Sequence, residues 1–411
     1  MKYKEKLLCI IIFIAHSNSA INNKKAVTVI PVVDIFGEPF FEKKFPFSYT
    51  VLPYSANKPR YLPRLHQVLY NEVVTVLEEQ GDELKISVPN VFYQTENAGT
   101  KYNTFWAKKS HFILLENLKK HNIDLHIFPK PFSRTHFSAQ DKYAILRLPY
   151  KNRATGLYFS AGTRFVRAST IKNGSTVYVF DPKTYTVQLM TIPNSYLMPD
   201  FFTQQEKQKA FVSLLRSWTH IHNRHIPYVW GGCSFITAVS DNTFVSQEKI
   251  INQQKTTFYS RPTIMSSIAS GFDCSGLIVR AAQICTIPYF FKNTSTLFYN
   301  LAAINSHNVL NEGDLLWFPG HVMIIADITR GTFIEARSYD HGYGIVHEIP
   351  FSKVFQNINT TQDLVKAYLA HEPLIRLNVG GSSTQVISHF ELLSFSSVWN
   401  SRPSAKNRGA A

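Results

Sequence analysis

Cysteine is scarce in this sequence. Its 411 residues include four cysteines, and Cys9 lies in an N-terminal segment that we expect to be removed. Of the other three, Cys274 and Cys285 fall eleven residues apart in one predicted helix and cannot readily form a disulfide. An odd cysteine count in an exported protein argues against a disulfide framework and predicts a free thiol.

Acidic residues are also few. The chain has 28 Asp and Glu residues against 43 Lys and Arg residues, which gives a formal net charge of +15. This balance suits an anionic partner such as nucleic acid, acidic lipid or an anionic cell-wall polymer. The basic residues are scattered, no run of five or more occurs and no nucleic-acid-binding motif is present, so the charge does not choose among these partners.

Long apolar runs are missing beyond the N-terminus, so we expect no membrane span. Residues 1–20 have a basic start at Lys2, Lys4 and Lys6, then an apolar run over residues 7–15 and a small, polar end. This order is typical of an export signal and predicts a periplasmic or extracellular protein; the alternative is a buried first strand or helix. The length and a hydrophobic content of 45% are sufficient for two or three domains.

Residues 25–118 predict a small β domain. Strand-like runs over residues 72–79 and 83–88 flank a glycine-containing turn, which is a hairpin signal. The order of Tyr70-Asn71-Glu72, this hairpin and Trp106-Ala107 resembles that of bacterial SH3-like barrels. Residues 120–200 repeat the pattern of strands and turns, and we expect a second SH3-like barrel there.

The composition changes at about residue 203. Thr203 and Glu206 match a capping box ahead of an apolar helical stripe, so residues 203–222 predict an amphipathic helix that opens a third domain. The polar stretch 234–270 reads as an insertion in that domain, and a short helix within it is one alternative.

Three histidines follow the predicted helix: His220, His222 and His225. Their spacing is compatible with metal binding, but no nearby cysteine or carboxylate completes a ligand set. We expect them to lie at the helix C-terminus, where positive charge is favourable, and we expect no metal and no cofactor.

Cys274 is the candidate nucleophile. The segment Gly271-Phe272-Asp273-Cys274-Ser275-Gly276 precedes an apolar run with helical spacing, and Asp273 and Ser275 are good helix-start residues. The unpaired N–H groups and the positive end of the helix dipole would favour a thiolate at Cys274. The alternative is a small, buried structural cysteine.

A histidine and a carboxylate follow on predicted strands. His321 begins a β-branched strand, a turn at residues 329–331 comes next, and Glu335 lies on the returning strand within a few residues of the point opposite His321. A carboxylate there would hold the imidazole ring and raise its pKa. Nucleophile, base and orienting group are what acyl transfer requires.

Residues 203–370 resemble the NlpC family of cell-wall cysteine peptidases. The resemblance implies a papain-like domain over residues 203–372, with Cys274 as nucleophile, His321 as general base and Glu335 at a position where relatives often have histidine; His341 is the fallback for that role. The whole chain would then be an α+β protein with two SH3-like barrels before the peptidase domain and a flexible tail at residues 378–411. The matching segments, in order, are Tyr228-Val229-Trp230-Gly231-Gly232, Phe272-Asp273-Cys274-Ser275-Gly276, Gly313-Asp314-Leu315-Leu316, Gly320-His321-Val322 and Phe333-Ile334-Glu335-Ala336.

Relatives with SH3-like domains cleave the γ-D-glutamyl–diamino-acid bond of peptidoglycan peptides, and they prefer a free N-terminal L-Ala. The resemblance therefore implies murein tripeptides or tetrapeptides as substrates. In some relatives an acidic residue beside a basic one also helps bind that free amine. It is absent here, where the chain reads Lys292-Asn293. The positions that the resemblance assigns to substrate binding are Tyr228, Trp230, Asp273, Ser275 and, on the first barrel, Glu72.

Two other functions stay open from the sequence alone. One is a non-catalytic wall-binding protein, which the carboxylate at position 335 and the uncharged Asn293 would suit. The other is an acyl transferase or amidase on the same fold, with a pocket reshaped by the insertion at residues 234–270.

Overall fold

This computed structural model describes residues 23–39, 64–94, 102–132, 142–153, 155–221, 224–237, 239–240, 245–251, 254–260, 270–305, 309–338 and 343–400. The predicted export signal at residues 1–20, His222 and His341 lie outside the described residues. None of the described helices has both the length and the apolar character needed to cross a bilayer.

An open seven-stranded sheet forms the N-terminal part of the chain, in the order β3-β2-β7-β5-β4-β1-β8. The predicted hairpin is present as β4 and β5, with Gln80 opposite Glu83. Edge strands β3 and β8 do not pair with each other among the described strands, so no closed barrel is seen there. The elements are β1 (Lys24–Thr28), β2 (Val32–Phe36), β3 (Arg64–Leu69), β4 (Val73–Gln80), β5 (Glu83–Ser87), β6 (Phe92–Tyr93), β7 (Thr104–Lys108), β8 (Phe112–Leu114) and α1 (Leu115–Lys120).

A four-stranded antiparallel sheet follows, in the order β14-β13-β12-β9, and it is likewise open within the described residues. The long hairpin of β13 and β14 pairs Gly174 with Pro193 and Asp181 with Thr186. Tyr70, from the first sheet, donates its hydroxyl to the carbonyl of Phe180, which joins the two β units. The strands are β9 (Tyr143–Ile145), β10 (Tyr150–Lys151), β11 (Tyr158–Phe159), β12 (Arg164–Ile171), β13 (Gly174–Asp181) and β14 (Thr186–Pro193).

Helix α2 (Gln204–Thr219) begins at the predicted capping box. The side chain of Thr203 accepts from the N–H of Glu206, and the Glu206 side chain accepts from the N–H of Thr203. Each partner satisfies an N–H that would otherwise lack an acceptor at the helix start. The apolar face of α2, including Phe211, Leu215 and Trp218, is buried.

The two ends of the insertion at residues 234–270 lie next to each other. Strands β16 (Cys233–Ser234) and β20 (Gly271–Phe272) pair, with Cys233 opposite Phe272. Between them the described residues form a hairpin, and the short helix considered from sequence is not seen among these residues. Its strands, with those before it, are β15 (Arg224–His225), β17 (Val239–Ser240), β18 (Val245–Ile251) and β19 (Gln254–Ser260).

Helix α3 (Cys274–Ile284) lies at the centre of the molecule, and all eleven of its residues are buried. One side faces an antiparallel sheet in the order β22-β29-β23-β24-β25-β26. The remaining elements are β21 (Phe291–Lys292), α4 (Thr294–Asn300), β22 (Ala302–Ala303), β23 (Leu315–Phe318), β24 (His321–Asp327), β25 (Thr332–Ala336), β26 (Val346–Pro350), α5 (Phe351–Val354), α6 (Thr361–Leu369), β27 (Leu374–Leu377), β28 (Ser383–Ile387) and β29 (Glu391–Ser394).

The segment from residue 378 to residue 400 differs from the flexible tail expected from sequence. Strand β29 lies inside the six-stranded sheet and pairs with both β22 and β23. Phe395 is fully buried and its ring stacks on Phe211 of α2, with the centroids 4.4 Å apart. The sequence suggested a flexible tail because polar residues dominate this segment. The few apolar residues among them hold it in the core.

Candidate active site

Cys274 is the first residue of α3, as the sequence predicts. Asp273 caps the helix, and its Oδ1 accepts from the N–H of Gly276 at 2.5 Å. Gly276 has to be glycine, because a Cβ there would lie 2.0 Å from the carbonyl oxygen of Gly232. The tight packing of these glycine-containing segments fixes the start of α3 beside the strand at Gly271–Phe272.

The Cys274 thiol is protonated at neutral pH. Burial and then the Asp273 carboxylate raise its pKa to about 12, against smaller lowering effects from Lys292 and the backbone N–H groups of Val322 and Ser275. The sequence predicted that the helix start favours a thiolate at Cys274. In the folded chain without substrate this is wrong, because burial outweighs the helix N–H groups. The contact with the N–H of Val322 places the beginning of β24 against the sulfur.

His321 and Glu335 are in direct contact. His321 Nε2 lies 2.7 Å from Oε2 of Glu335. The register of β24 and β25 pairs Ile324 with Ile334, which puts Glu335 within two residues of the point opposite His321. Because an ionised carboxylate only accepts, Nε2 carries the proton and Nδ1 is left as the basic nitrogen of the neutral ring.

Glu335 is fully buried and has two further partners. Its Oε1 lies 3.2 Å from His347 Nε2, and its Oε2 accepts from Nη2 of Arg376 at 2.7 Å. Burial alone would raise the pKa of this carboxyl, but Arg376 and the two histidines together lower it well below its ordinary value. Glu335 is thus an anion at every pH at which the protein would work.

The pKa of His321 moves opposite to the prediction. Burial lowers it to about 4, and the positive charges of Arg376 and Arg337 add to that direction. The hydrogen bond to Glu335 raises the pKa but does not compensate. Sequence reasoning considered Glu335 alone; burial of the ring, with a further contribution from Arg376, outweighs it and lowers the pKa.

A cleft opens on the cysteine side of this pair. It encloses about 90 Å³ and combines Arg64 and Leu65 of β3 and Tyr93 of β6 with the residues around Cys274. Four of the predicted substrate-binding residues line it: Tyr228, Trp230, Asp273 and Ser275. Trp230 is 51% exposed, a large apolar surface at the mouth of the cleft.

Lys292 fills the floor of the cleft. Its Nζ lies 2.6 Å and 2.5 Å from the two carboxylate oxygens of Asp273 and 3.2 Å from the hydroxyl of Ser275. The side chain is only 1% exposed, so this is a buried ion pair. Asp273 therefore serves Lys292 and the helix cap at the same time.

Glu72 does not line the cleft. Its Oε1 accepts from Nη1 of Arg280 at 3.0 Å. Arg280 is fully buried in α3 and also donates to the carbonyls of Cys233 and Gln67, at 2.9 Å and 3.1 Å. Glu72 thus helps hold the first sheet on the nucleophile helix, away from the position predicted for it.

A second cavity lies on the histidine side. It encloses about 390 Å³ and is lined by His321, Arg337, Arg376, Thr384 and Gln385 among others. Arg337 is 4% exposed and donates to the carbonyl of Leu377 at 3.2 Å. The two arginines and the absence of a carboxylate from this lining make the cavity cationic within the described residues.

Within the described ranges, no group of three or more histidine, cysteine or acidic side chains is arranged to hold a metal ion. His220 lies at the end of α2, where its Nδ1 is 2.9 Å from the carbonyl of Arg216. That is the helix-end position expected from the sequence, whereas His225 lies on strand β15 and does not cap the helix.

No known family model matches this chain, and no curated protein does either. Solved structures give weak matches. An NlpC-family protein of Bacillus cereus is 14% identical with a TM-score of 0.47, covering 79% of this chain and 94% of that one. NlpC1 of Trichomonas vaginalis is 12% identical with a TM-score of 0.29, covering 84% and 94%. RipB, a peptidoglycan hydrolase of Mycobacterium tuberculosis, is 19% identical with a TM-score of 0.21, covering 36% and 59%. Scores below 0.5 do not establish a shared fold, so the function has to be argued from the site itself.

Sequence reasoning missed several residues of the site. Arg376 and His347 complete the surroundings of Glu335, and Arg64 and Tyr93 replace Glu72 as the contribution of the N-terminal β segment. No local pattern marks them. The one available signal was Asn293, an uncharged residue where some relatives have a carboxylate beside a basic residue.

Proposed function

We propose that this chain is an exported cysteine endopeptidase that hydrolyses the γ-D-glutamyl–diamino-acid bond of peptidoglycan stem peptides. The observation that carries the proposal is the contact of His321 with Glu335 at 2.7 Å, on a strand whose next N–H donates to the Cys274 sulfur. The ordered motifs around these residues, which resemble the NlpC family, support the substrate class.

The chemistry starts from a neutral pair. As Sγ of Cys274 attacks the γ-glutamyl carbonyl carbon, Nδ1 of His321 takes the thiol proton. The oxyanion accepts hydrogen bonds from N–H groups at the start of α3, with the hydroxyl of Tyr228 as a further donor. The imidazolium then gives its proton to the leaving amine, the C–N bond breaks and a thioester remains. Water, deprotonated by His321, hydrolyses that thioester and restores the thiol.

Glu335 orients the ring and stabilises the imidazolium while it exists. Because His321 is neutral in the resting state, no proton has to leave before it can act as base. The raised pKa of Cys274 makes a preformed thiolate–imidazolium pair unfavourable, so proton transfer accompanies attack. Arg376 keeps Glu335 ionised and thereby keeps the donor on Nε2.

The two cavities divide the substrate between them. The acyl part, with its γ-glutamyl carbonyl, lies in the cleft beside Cys274 under Trp230. The leaving diamino acid lies on the side of His321, which protonates its amine. Its carboxylates are matched by Arg337 and Arg376 in the larger cavity, since guanidinium groups bind carboxylates with paired hydrogen bonds.

A peptide digest tests the proposal. Purified protein is incubated with L-Ala-γ-D-Glu-diaminopimelate and with its N-acetylated form, and products are identified by mass spectrometry. We expect release of diaminopimelate, abolished in Cys274→Ala and retained in Cys285→Ala, which alters a buried thiol at the other end of α3. Failure of the wild type to cleave that bond in either peptide, from pH 4 to pH 9, contradicts the proposal.

A further inference from the structure

The cleft beside Cys274 has a built-in ammonium group. The Nζ of Lys292 makes three contacts, with both carboxylate oxygens of Asp273 and with Oγ of Ser275, and an ammonium has three N–H donors. Residues 273 and 275 are the ones expected to receive a substrate's free amino terminus. In this chain Asp273 and Ser275 already bind a charged amine, the side-chain ammonium of Lys292.

Hydrogen-bond capacity at Ser275 is used up. Its hydroxyl donates to Oδ1 of Asp273 at 3.0 Å and accepts from Lys292 and from the N–H of Asn293, each at 3.2 Å. A hydroxyl has one donor and two acceptor sites, so all three are occupied. Oδ1 of Asp273 also accepts from Gly276. An incoming ammonium would have to displace Lys292 from a buried ion pair.

No second carboxylate compensates. Among the described residues that line this cleft, Asp273 is the one acidic side chain, whereas Arg64 and Lys292 are cationic. The carboxylate of Glu72 is held by Arg280 instead. Asn293 also lines the cleft. Its Oδ1 accepts from the N–H of Thr296 at 2.7 Å, and its Nδ2 donates to the carbonyl of Gln94 at 2.8 Å. Asp273 is paired with Lys292, and the other cation of this lining, Arg64, is paired with Asp34. A substrate ammonium would therefore find no free carboxylate in this lining.

We infer that this cleft selects stem peptides whose alanine nitrogen is acylated and uncharged, and that Lys292 is the residue that sets this selectivity. An amide nitrogen carries no charge to repel Lys292 and loses less hydration than an ammonium on entering a cleft of this size. The inference rests on the proposed function for the identity of the peptide. It reverses the preference for a free N-terminal L-Ala that the family resemblance implied.

The test compares the free and N-acetylated forms of L-Ala-γ-D-Glu-diaminopimelate. We expect kcat/KM of the wild type to be at least tenfold higher for the acetylated peptide at pH 7. Since an α-amino group titrates near pH 8, the free peptide should improve between pH 7 and pH 9 while the acetylated one does not. Equal rates, or a preference for the free peptide, overturn the inference.

Asn293→Asp is the diagnostic variant. Its backbone has φ +71°, which Asn and Asp tolerate better than other side chains apart from glycine, and an aspartate keeps the cap on α4. The second carboxylate oxygen would take the place of Nδ2 beside the carbonyl of Gln94, which cannot donate to it, and would add a negative charge to the lining of the cleft. We expect the ratio of kcat/KM, acetylated over free, to fall at least tenfold. Asn194→Asp, a surface change far from the cleft, should leave the ratio unaltered; an unaltered ratio in Asn293→Asp overturns the inference.

Binding separates this inference from the proposed function. If neither peptide is cleaved, the proposed hydrolysis fails, and calorimetry on Cys274→Ala then decides the selectivity. Acetylated peptide bound at least tenfold more tightly supports the inference. Equal binding, tighter binding of the free peptide or no binding of either contradicts it.

Discussion

Replacing Arg376 with methionine removes a buried positive charge from beside the His321–Glu335 pair. Arg376 Nη2 and His321 Nε2 each lie 2.7 Å from the same oxygen of Glu335. The two nitrogens are therefore no more than about 5.4 Å apart. At an effective dielectric constant of about 20, a cation at that distance disfavours the imidazolium by about 3 kcal/mol, or about two pKa units.

The expected result is a shift of the acid limb of the pH profile, which is the range in which kcat/KM falls as the pH is lowered. In the wild type, burial and then Arg376 hold the pKa of His321 down at about 4. His321 must be neutral to accept the thiol proton, so kcat/KM falls as the pH drops through that value. In Arg376→Met the limb should rise to about pH 6, because the raising effect of Glu335 is no longer opposed by Arg376.

Two measurements check this shift. The pH profile of kcat/KM from pH 3.5 to pH 8 reports the limb, and NMR titration of labelled histidine in a Cys274→Ala background reports His321 without catalysis. Arg376→Lys keeps the charge and should keep the limb near that of the wild type. A limb in Arg376→Met within about half a unit of the wild type, in a protein that circular dichroism shows to be folded, would refute the reasoning.

Further predictions concern the thiol and the packing of α3. Because burial raises the pKa of Cys274 to about 12, iodoacetamide should label the folded protein more slowly than free cysteine at pH 7, with a rate that climbs up to pH 9; rapid labelling at pH 7 that is lost in Cys274→Ala would contradict this. Arg280→Met leaves Glu72 and two carbonyls without their donor and should lower the free energy of unfolding by about 3–5 kcal/mol in urea denaturation. Glu72→Gln should keep kcat/KM within about threefold of the wild type, as expected of a residue that does not contact substrate; a loss above about tenfold would place it in the cleft after all. Thr203→Ala should cost about 1 kcal/mol of stability through the lost cap on α2, measured in the same way against Thr184→Ala on an exposed turn.

The elements predicted well from sequence are those whose signals are local. The capping box at Thr203, the cap at Asp273 and the adjacency of His321 and Glu335 all depend on residues close in the chain. A short turn between two strands leaves little freedom in how they pair. For the same reason the hairpin of β4 and β5 was predictable.

Residues that arrive from distant segments were not predictable. Arg376 is 41 positions from Glu335, and its charge adds to burial in lowering the pKa of His321. Closure of the β units depends on pairing between strands far apart in the chain, and the open order of the first sheet could not be read from strand patterns. Burial itself, which raises the pKa of Cys274, is a property of the whole fold.

The position of β29 has a consequence for the timing of assembly. Leu393 pairs with Leu315, so β23 keeps an exposed edge until residues 391–394 have been made and delivered. Arg376, which fixes the state of the Glu335–His321 pair, also comes late in the chain. A chain that emerges N-terminus first from a ribosome or an export channel exposes Cys274 before Glu335 and its partner Arg376 have emerged. We therefore expect peptidase activity to appear only after the last sheet strand has docked.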